Sequence, residues 1–438
     1  MKPIYAFTAM LGFCLATTLQ AQQVDFEEYD LDNGLHVILH QDNTAPVVVT
    51  SVMYHVGSKD ENPAKTGFAH FFEHLLFEGS ENIERGEFFK IVTSNGGYNN
   101  ANTTQDRTYY YELFPSNQLA LGLWLESERL MHPIINQIGV DTQKEVVQEE
   151  RRLRVDNAPY GQLIENMFKN LFSNHPYRWS VIGSLEHLAS ASLEDFQEFN
   201  KVYYVPNNAT LVLAGDFEKG EAKKLIEDYF GPIPRGREVV KKTYEEAPID
   251  GPIYTQFEDS NIQIPLILLG YRTPGQASRD AYVLNMISSY LSSGQSSVLQ
   301  KKLVDQKQMA LQIFAFNYSL EDYGAYLLGG LPLGDNTMDN LVAEIDIEIE
   351  KLKNDLISER DYQKLQNQFE NSFVSANSSF EGIAENLASY NQLFGDTNLI
   401  NTEIEIYRSI TREEIREVAN KYLQKNQRVE LKYVPKQD

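Results

Sequence analysis

The chain has 438 residues, with 62 Asp and Glu against 38 Lys and Arg and a net charge of −24. That length calls for two or more domains, and the acidity argues against nucleic acid as a partner, which needs basic patches. A single cysteine, Cys14, excludes an internal disulfide framework and a cluster of thiolate ligands.

Residues 1–21 read as a secretory signal peptide. Lys2 supplies the positive start, Ile4 to Thr18 the apolar stretch, and Leu19-Gln20-Ala21 the cleavage site. The run is too short for a comfortable membrane span, and no later segment is apolar enough for one. A lipid anchor on Cys14 is the alternative, but Phe13 occupies the place of the small residue such a site has. The reading places a cysteine-free mature chain, starting near Gln22, in the periplasm or outside the cell.

The next informative stretch is Thr66-Gly67-Phe68-Ala69-His70-Phe71-Phe72-Glu73-His74-Leu75-Leu76-Phe77-Glu78-Gly79. Thr66 as a cap and Gly79 as a stop predict a helix of about three turns. On a wheel of about 100° per residue, His70, Glu73 and His74 fall on one side. Phe68, Phe71, Phe72, Leu75 and Leu76 fall on the other. One face is built to pack and the other offers two imidazoles and a carboxylate. The order is H-x-x-E-H, half of a metal site with its own base, which points to metal-assisted hydrolysis. A core histidine or a solvated pair is the bland alternative, and the opposed faces weigh against it. Two imidazoles leave a zinc site incomplete. A third His, Asp or Glu must come from elsewhere, with a fourth position open for water.

Residues 96–108, Gly-Gly-Tyr-Asn-Asn-Ala-Asn-Thr-Thr-Gln-Asp-Arg-Thr, alternate polar and small side chains. They suit an exposed edge strand able to pair with an extended peptide, although composition alone favours an ordinary polar loop. Further on, Thr142 with Glu145 forms a capping-box pattern and predicts a helix starting there. On its wheel Glu150 falls within the arc of Val146, Val147 and Leu153, while Glu145 and Glu149 face water. A carboxylate on a buried face needs a partner or a metal. Glu150 is the third ligand of choice and Glu149 the fallback, with a Glu–Arg pair as the plain alternative.

The chain also repeats itself. Residues 192–203 match residues 411–422 without gaps, each opening on Ser or Thr followed by acidic residues and each ending on Tyr. Each copy leads into a strand, over 209–214 and 428–434. Two similar halves follow, a metal-bearing domain over 22–233 and a second over 253–438, joined by the polar stretch 234–252. The second half has no H-x-x-E-H.

These motifs resemble the inverzincin metallopeptidases, the family of pitrilysin, insulin-degrading enzyme and the mitochondrial processing peptidase, in its short bacterial form. The resemblance rests on His70-x-x-Glu73-His74, on Glu150 in Glu145-Val-Val-Gln-Glu-Glu-Arg151, on residues 96–108, on Asn157-Ala-Pro-Tyr-Gly161, and on His175-Pro-Tyr-Arg178 with Ile182-Gly-Ser184. It spans the mature chain and is strongest from Asn33 to Asp216. It implies an α+β fold of two homologous halves, each a mostly antiparallel sheet covered by helices. It implies Zn2+ on His70, His74 and Glu150, Glu73 as general base, and Asn100 and Ala101 against a peptide substrate. Two departures stand out. Gln143 replaces a glutamate that the family often has. Gln295 or Val298, and Leu311, stand where active members commonly carry an Arg and a Tyr that hold the substrate carbonyl. The expectation is a zinc endopeptidase for extended or unfolded peptides, the metal-bearing subunit of a complex with a sister chain, or else a homodimer. An inactive scaffold or a peptide-binding member of the same fold is the alternative, against which the four intact residues argue.

Overall fold

A computed structural model describes residues 23–436. The signal-peptide reading and Cys14 lie outside the described residues. Eleven strands are named here: β1 (Glu27–Asp30), β2 (His36–Gln41), β3 (Val47–Tyr54), β4 (Tyr98–Thr103), β5 (Thr108–Pro115), β6 (Ala209–Gly215), β7 (Ile253–Asp259), β8 (Leu266–Pro274), β9 (Ala310–Ser319), β10 (Tyr323–Pro332) and β11 (Arg428–Pro435). The helices that bear on the site are α1 (Phe68–Leu75), α2 (Gln137–Arg151), α3 (Leu163–Leu171), α4 (Leu193–Tyr203), α5 (Arg279–Ser292), α6 (Glu359–Ala376), α7 (Phe380–Ser389) and α8 (Arg412–Tyr422).

The strands form two sheets, in the orders β1-β2-β6-β3-β5-β4 and β7-β11-β8-β10-β9. In each, one pair is parallel, β2 with β6 and β7 with β11, and the other pairs are antiparallel. The duplicated segments hold the same place in both halves. Ser192 and Asp195 close a capping box on α4, and Thr411 and Glu414 close one on α8. Each helix then feeds the strand that pairs parallel with one neighbour and antiparallel with the other. The fold is α+β, with two similar halves. Among the described residues, the second sheet has no counterpart of β1.

The central strands read as near-continuous apolar runs, Val-Val-Val-Thr-Ser-Val-Met-Tyr in β3 and Ala-Thr-Leu-Val-Leu-Ala-Gly in β6, because both sheet faces are covered. Each sheet borrows one cover from the other half. Met167, Phe168 and Leu171 of α3 pack on Leu268, Leu327, Val429 and Leu431 of the second sheet. In return, Ile383, Ala384, Leu387 and Ala388 of α7 pack on Ile38, Val49, Met53 and Val212 of the first.

A polar cluster marks the seam. Lys59 Nζ lies 3.0 Å from Asp106 Oδ1 and 2.6 Å from Glu321 Oε2. His55 Nε2 lies 2.8 Å from Glu321, and His175 Nε2 3.1 Å from Asp322. Residues 234–252 connect the halves without helix or strand. Among the described residues, no helix is long and apolar enough to cross a membrane.

Candidate metal centre

The aromatic side of α1 seats the helix. Phe71 stacks on Phe196 at 4.4 Å and Phe72 on Tyr204 at 4.8 Å between ring centroids. The start of α1 differs from the sequence expectation. Gly67, with φ +93°, is the N-cap. Glu61 caps the helix, accepting from the Gly67 and Ala69 amides at 2.8 and 2.9 Å. The Thr66 hydroxyl is instead 2.8 Å from His187 Nδ1. The helix ends at Leu75, so it is closer to two turns than three, and Gly79 serves the turn beyond it. Ile182-Gly183-Ser184 passes against this N-terminus so closely that a Cβ on Gly183 would lie 2.3 Å from the Thr66 carbonyl oxygen.

The second helix also starts earlier than expected. Asn136 caps α2, accepting from the Gly139 amide at 2.9 Å. Thr142 lies inside it and donates to the Ile138 carbonyl at 2.9 Å, so no capping box forms with Glu145. The wheel caught only part of the buried face, which includes Val147 but not Val146 or Leu153. Val146 and Leu153 are 43% and 63% exposed, whereas Val140 and Val147 are buried. Glu150 is oriented by its position facing α1, not by an apolar arc. Glu149 is on the outside, 3.2 Å from Arg152.

His70, His74 and Glu150 converge, with one ligand atom from each lying within 4.8 Å of the others. Glu150 Oε2 is 3.2 Å from His74 Nε2 and 3.7 Å from His70 Nε2. Zinc–ligand bonds of about 2.0–2.2 Å in a tetrahedron set ligand atoms about 3.3 Å apart, so the donor set and its spacing fit zinc. Burial, with His74 alongside, pushes the His70 imidazole down to about 4. It is therefore neutral at neutral pH and able to ligate. The hydrogen bond from His74 holds Glu150 below the usual carboxylate range. Arg154 lies 2.8 Å from its other oxygen.

Glu73 lies beside this cluster, outside the donor set. Burial raises its pKa, and the Thr103 hydroxyl, donating to Oε2 at 2.6 Å, opposes the rise. Thr103 closes β4, which is the edge of the first sheet. Asn100 and Ala101 lie in the middle of that strand, opposite Tyr111 and Tyr110 of β5. The segment 96–108 is thus an edge strand and hairpin, not a polar loop. Thr103 and the Glu61 cap were not singled out from sequence, although Thr103 is part of the segment that carries the resemblance.

The two departures also have places. The Gln143 amide donates to Glu78 Oε1 at 2.6 Å, where a carboxylate would meet like charge. Leu311 is 51% exposed on β9, the edge strand of the second sheet. Helix α5 follows β8 as α1 follows β3, but it carries no histidine.

Residues 36–184 match the family described as insulinase (peptidase family M16), and residues 190–369 match the peptidase M16 inactive domain. The zinc protease PqqE of Helicobacter pylori is 31% identical over 89% of each chain. The crystal structure of a protease from Helicobacter pylori superposes with a TM-score of 0.89 at 29% identity, covering 94% of this chain and 100% of that one. The mitochondrial-processing peptidase subunit beta of Blastocladiella emersonii is 25% identical over 71% of this chain and 67% of its own. The fold and the grouped His-His-Glu define a metallopeptidase-like protein of two similar halves. The chain belongs to peptidase family M16.

Proposed function

We propose that the chain is a zinc-dependent endopeptidase acting on extended or unfolded peptides, and that it works as the metal-bearing subunit of a two-chain assembly. The observation that carries the reading is the placement of Glu73, held by Thr103, between the His70–His74–Glu150 cluster and an edge strand. Zinc held by His70, His74 and Glu150 would supply a Lewis acid that brings the pKa of water to about 7 and polarises a scissile carbonyl. Glu73 takes the proton of the attacking water and delivers it to the leaving amine. The open edge of β4, with Asn100 and Ala101, pairs with the substrate main chain, which gives affinity with little sequence preference. In this reading 22–233 is the catalytic domain, 234–252 the linker and 253–438 the second domain, and the signal peptide sends the chain to the periplasm or beyond.

Two points support a partner. By the family resemblance, Gln295 or Val298, and Leu311, stand where active members commonly carry an Arg and a Tyr, and one relative is itself named as a subunit. An inactive scaffold has no use for a buried base beside three converging donors. The test is to purify the chain alone, strip it with a chelator, restore one zinc per chain, and assay unfolded peptides. Weak zinc-dependent cleavage that rises on adding a sister chain is expected. Full activity from the isolated chain refutes the partner, and no zinc binding refutes the function.

A further inference from the structure

Edge strand β4 is poorly equipped to hold its own shape. It has one neighbour, β5, and three of its six residues are Asn, which disfavours strands. Yet its last residue, Thr103, must keep a 2.6 Å hydrogen bond to Glu73. The structure braces it from the other half. The apolar side of α7 packs on the first sheet, while Glu381 and Glu385, one turn apart on that helix, reach the β4–β5 hairpin. Glu385 Oε1 accepts from Arg107 Nη2 at 2.6 Å, and Glu381 accepts from the Tyr98 hydroxyl. The Arg107 side chain is only 11% exposed, and its Nη1 also donates to the Asn102 carbonyl at 3.3 Å. Tyr98 opens β4, and Asn102 immediately precedes Thr103. The strand is therefore held at both ends by carboxylates of the second half.

We infer that Glu385, together with Glu381, is a positioning residue of the peptidase reaction, fixing β4 through Arg107 and Tyr98 so that Thr103 orients Glu73. The inference rests on the peptidase reading and deepens it: the half without a metal site shapes the site of the other. A guanidinium so withdrawn from water needs its carboxylate partner. Without Glu385, Arg107 turns toward solvent and the end of β4 loosens. Catalysis suffers through the base, whereas the zinc donors on α1 and α2 are untouched.

The test uses the full chain as Glu385→Gln, Glu385→Asp, Thr103→Val and the Glu385→Gln/Thr103→Val double variant, with zinc content, peptide kinetics and amide exchange of residues 98–103 measured on each. Loss of a partner behind a site residue typically lowers activity about ten- to a hundredfold. Glu385→Gln should lower kcat within that range, raise KM as well because β4 also pairs with the substrate, retain one zinc, and speed exchange in β4. Glu385→Asp should recover part of the loss. The double variant should be no slower than the worse single, since both act on Glu73. Glu381→Gln provides an independent variant at the other end of the strand and should show the same exchange signature. Unchanged kcat and unchanged exchange in Glu385→Gln overturn the proposal, as do losses that multiply in the double variant. If the wild type binds zinc but cleaves nothing even with a sister chain added, the peptidase reading fails, and exchange in β4 still decides whether Glu385 fixes the strand.

Discussion

Glu61 and Thr103 act on the site without belonging to the donor set. The Glu61 carboxylate is buried and satisfies two amides at the start of α1, the helix that carries both imidazoles. Losing such a cap costs about 0.5–2 kcal/mol. We expect Glu61→Ala to lower thermal stability by about that much and to weaken zinc binding, because His70 is less than a turn away. Calorimetry and a zinc titration would check both. Sequence inspection found His70, Glu73 and His74 because a period of 3.6 separates them from the phenylalanines. It reached Glu150 through a wheel whose apolar arc is buried at Val147 but exposed at Val146 and Leu153. The approach of α2 to α1 orients that carboxylate, and such an approach is a tertiary fact with no local signature. For the same reason Glu61 escaped notice: it lies outside the helix it caps.

At the scale of elements, the exchanged helices matter most. Phe168 of α3 is buried under the second sheet, and Leu387 of α7 under the first. Truncating either to Ala should cost about 3–5 kcal/mol for Phe and 2–5 for Leu. More telling is cooperativity. Each core is incomplete without a helix from the other half, so the chain should unfold in one transition by calorimetry, with either variant lowering that single midpoint. Two resolved transitions would mean that the halves are independent. The repeat itself was legible in the sequence, since residues 192–203 and 411–422 share a cap, acidic residues and a terminal Tyr. The exchange was not, because an amphipathic helix does not say which sheet it covers.

At the scale of the whole molecule, the seam sets a pH dependence. Burial alone would raise Glu321, but the His55 hydrogen bond and the charges of His55 and Lys59 outweigh it and hold its pKa well below the usual 4.5. A depressed carboxylate stabilises the fold above its unfolded value, and the contribution fades as pH falls toward the folded value. Breaking one partner out of a largely buried pair costs roughly 3–5 kcal/mol. Glu321→Gln should therefore be less stable than wild type at pH 7 by about that amount, and the gap should narrow steadily below pH 4.5 in denaturant titrations. A gap independent of pH would show that Glu321 contributes by packing alone. Asp106 of this seam directly precedes Arg107, which donates to Glu385 of α7.

In the proposed function Glu73 is the base of a zinc peptidase and not a structural carboxylate beside a metal. Zinc content and peptide cleavage, measured together on one preparation of Glu73→Gln and its wild type, test it most directly. One zinc per chain is expected in both, with cleavage by the variant down by at least about a hundredfold. Cleavage at the wild-type rate with zinc in place would contradict it.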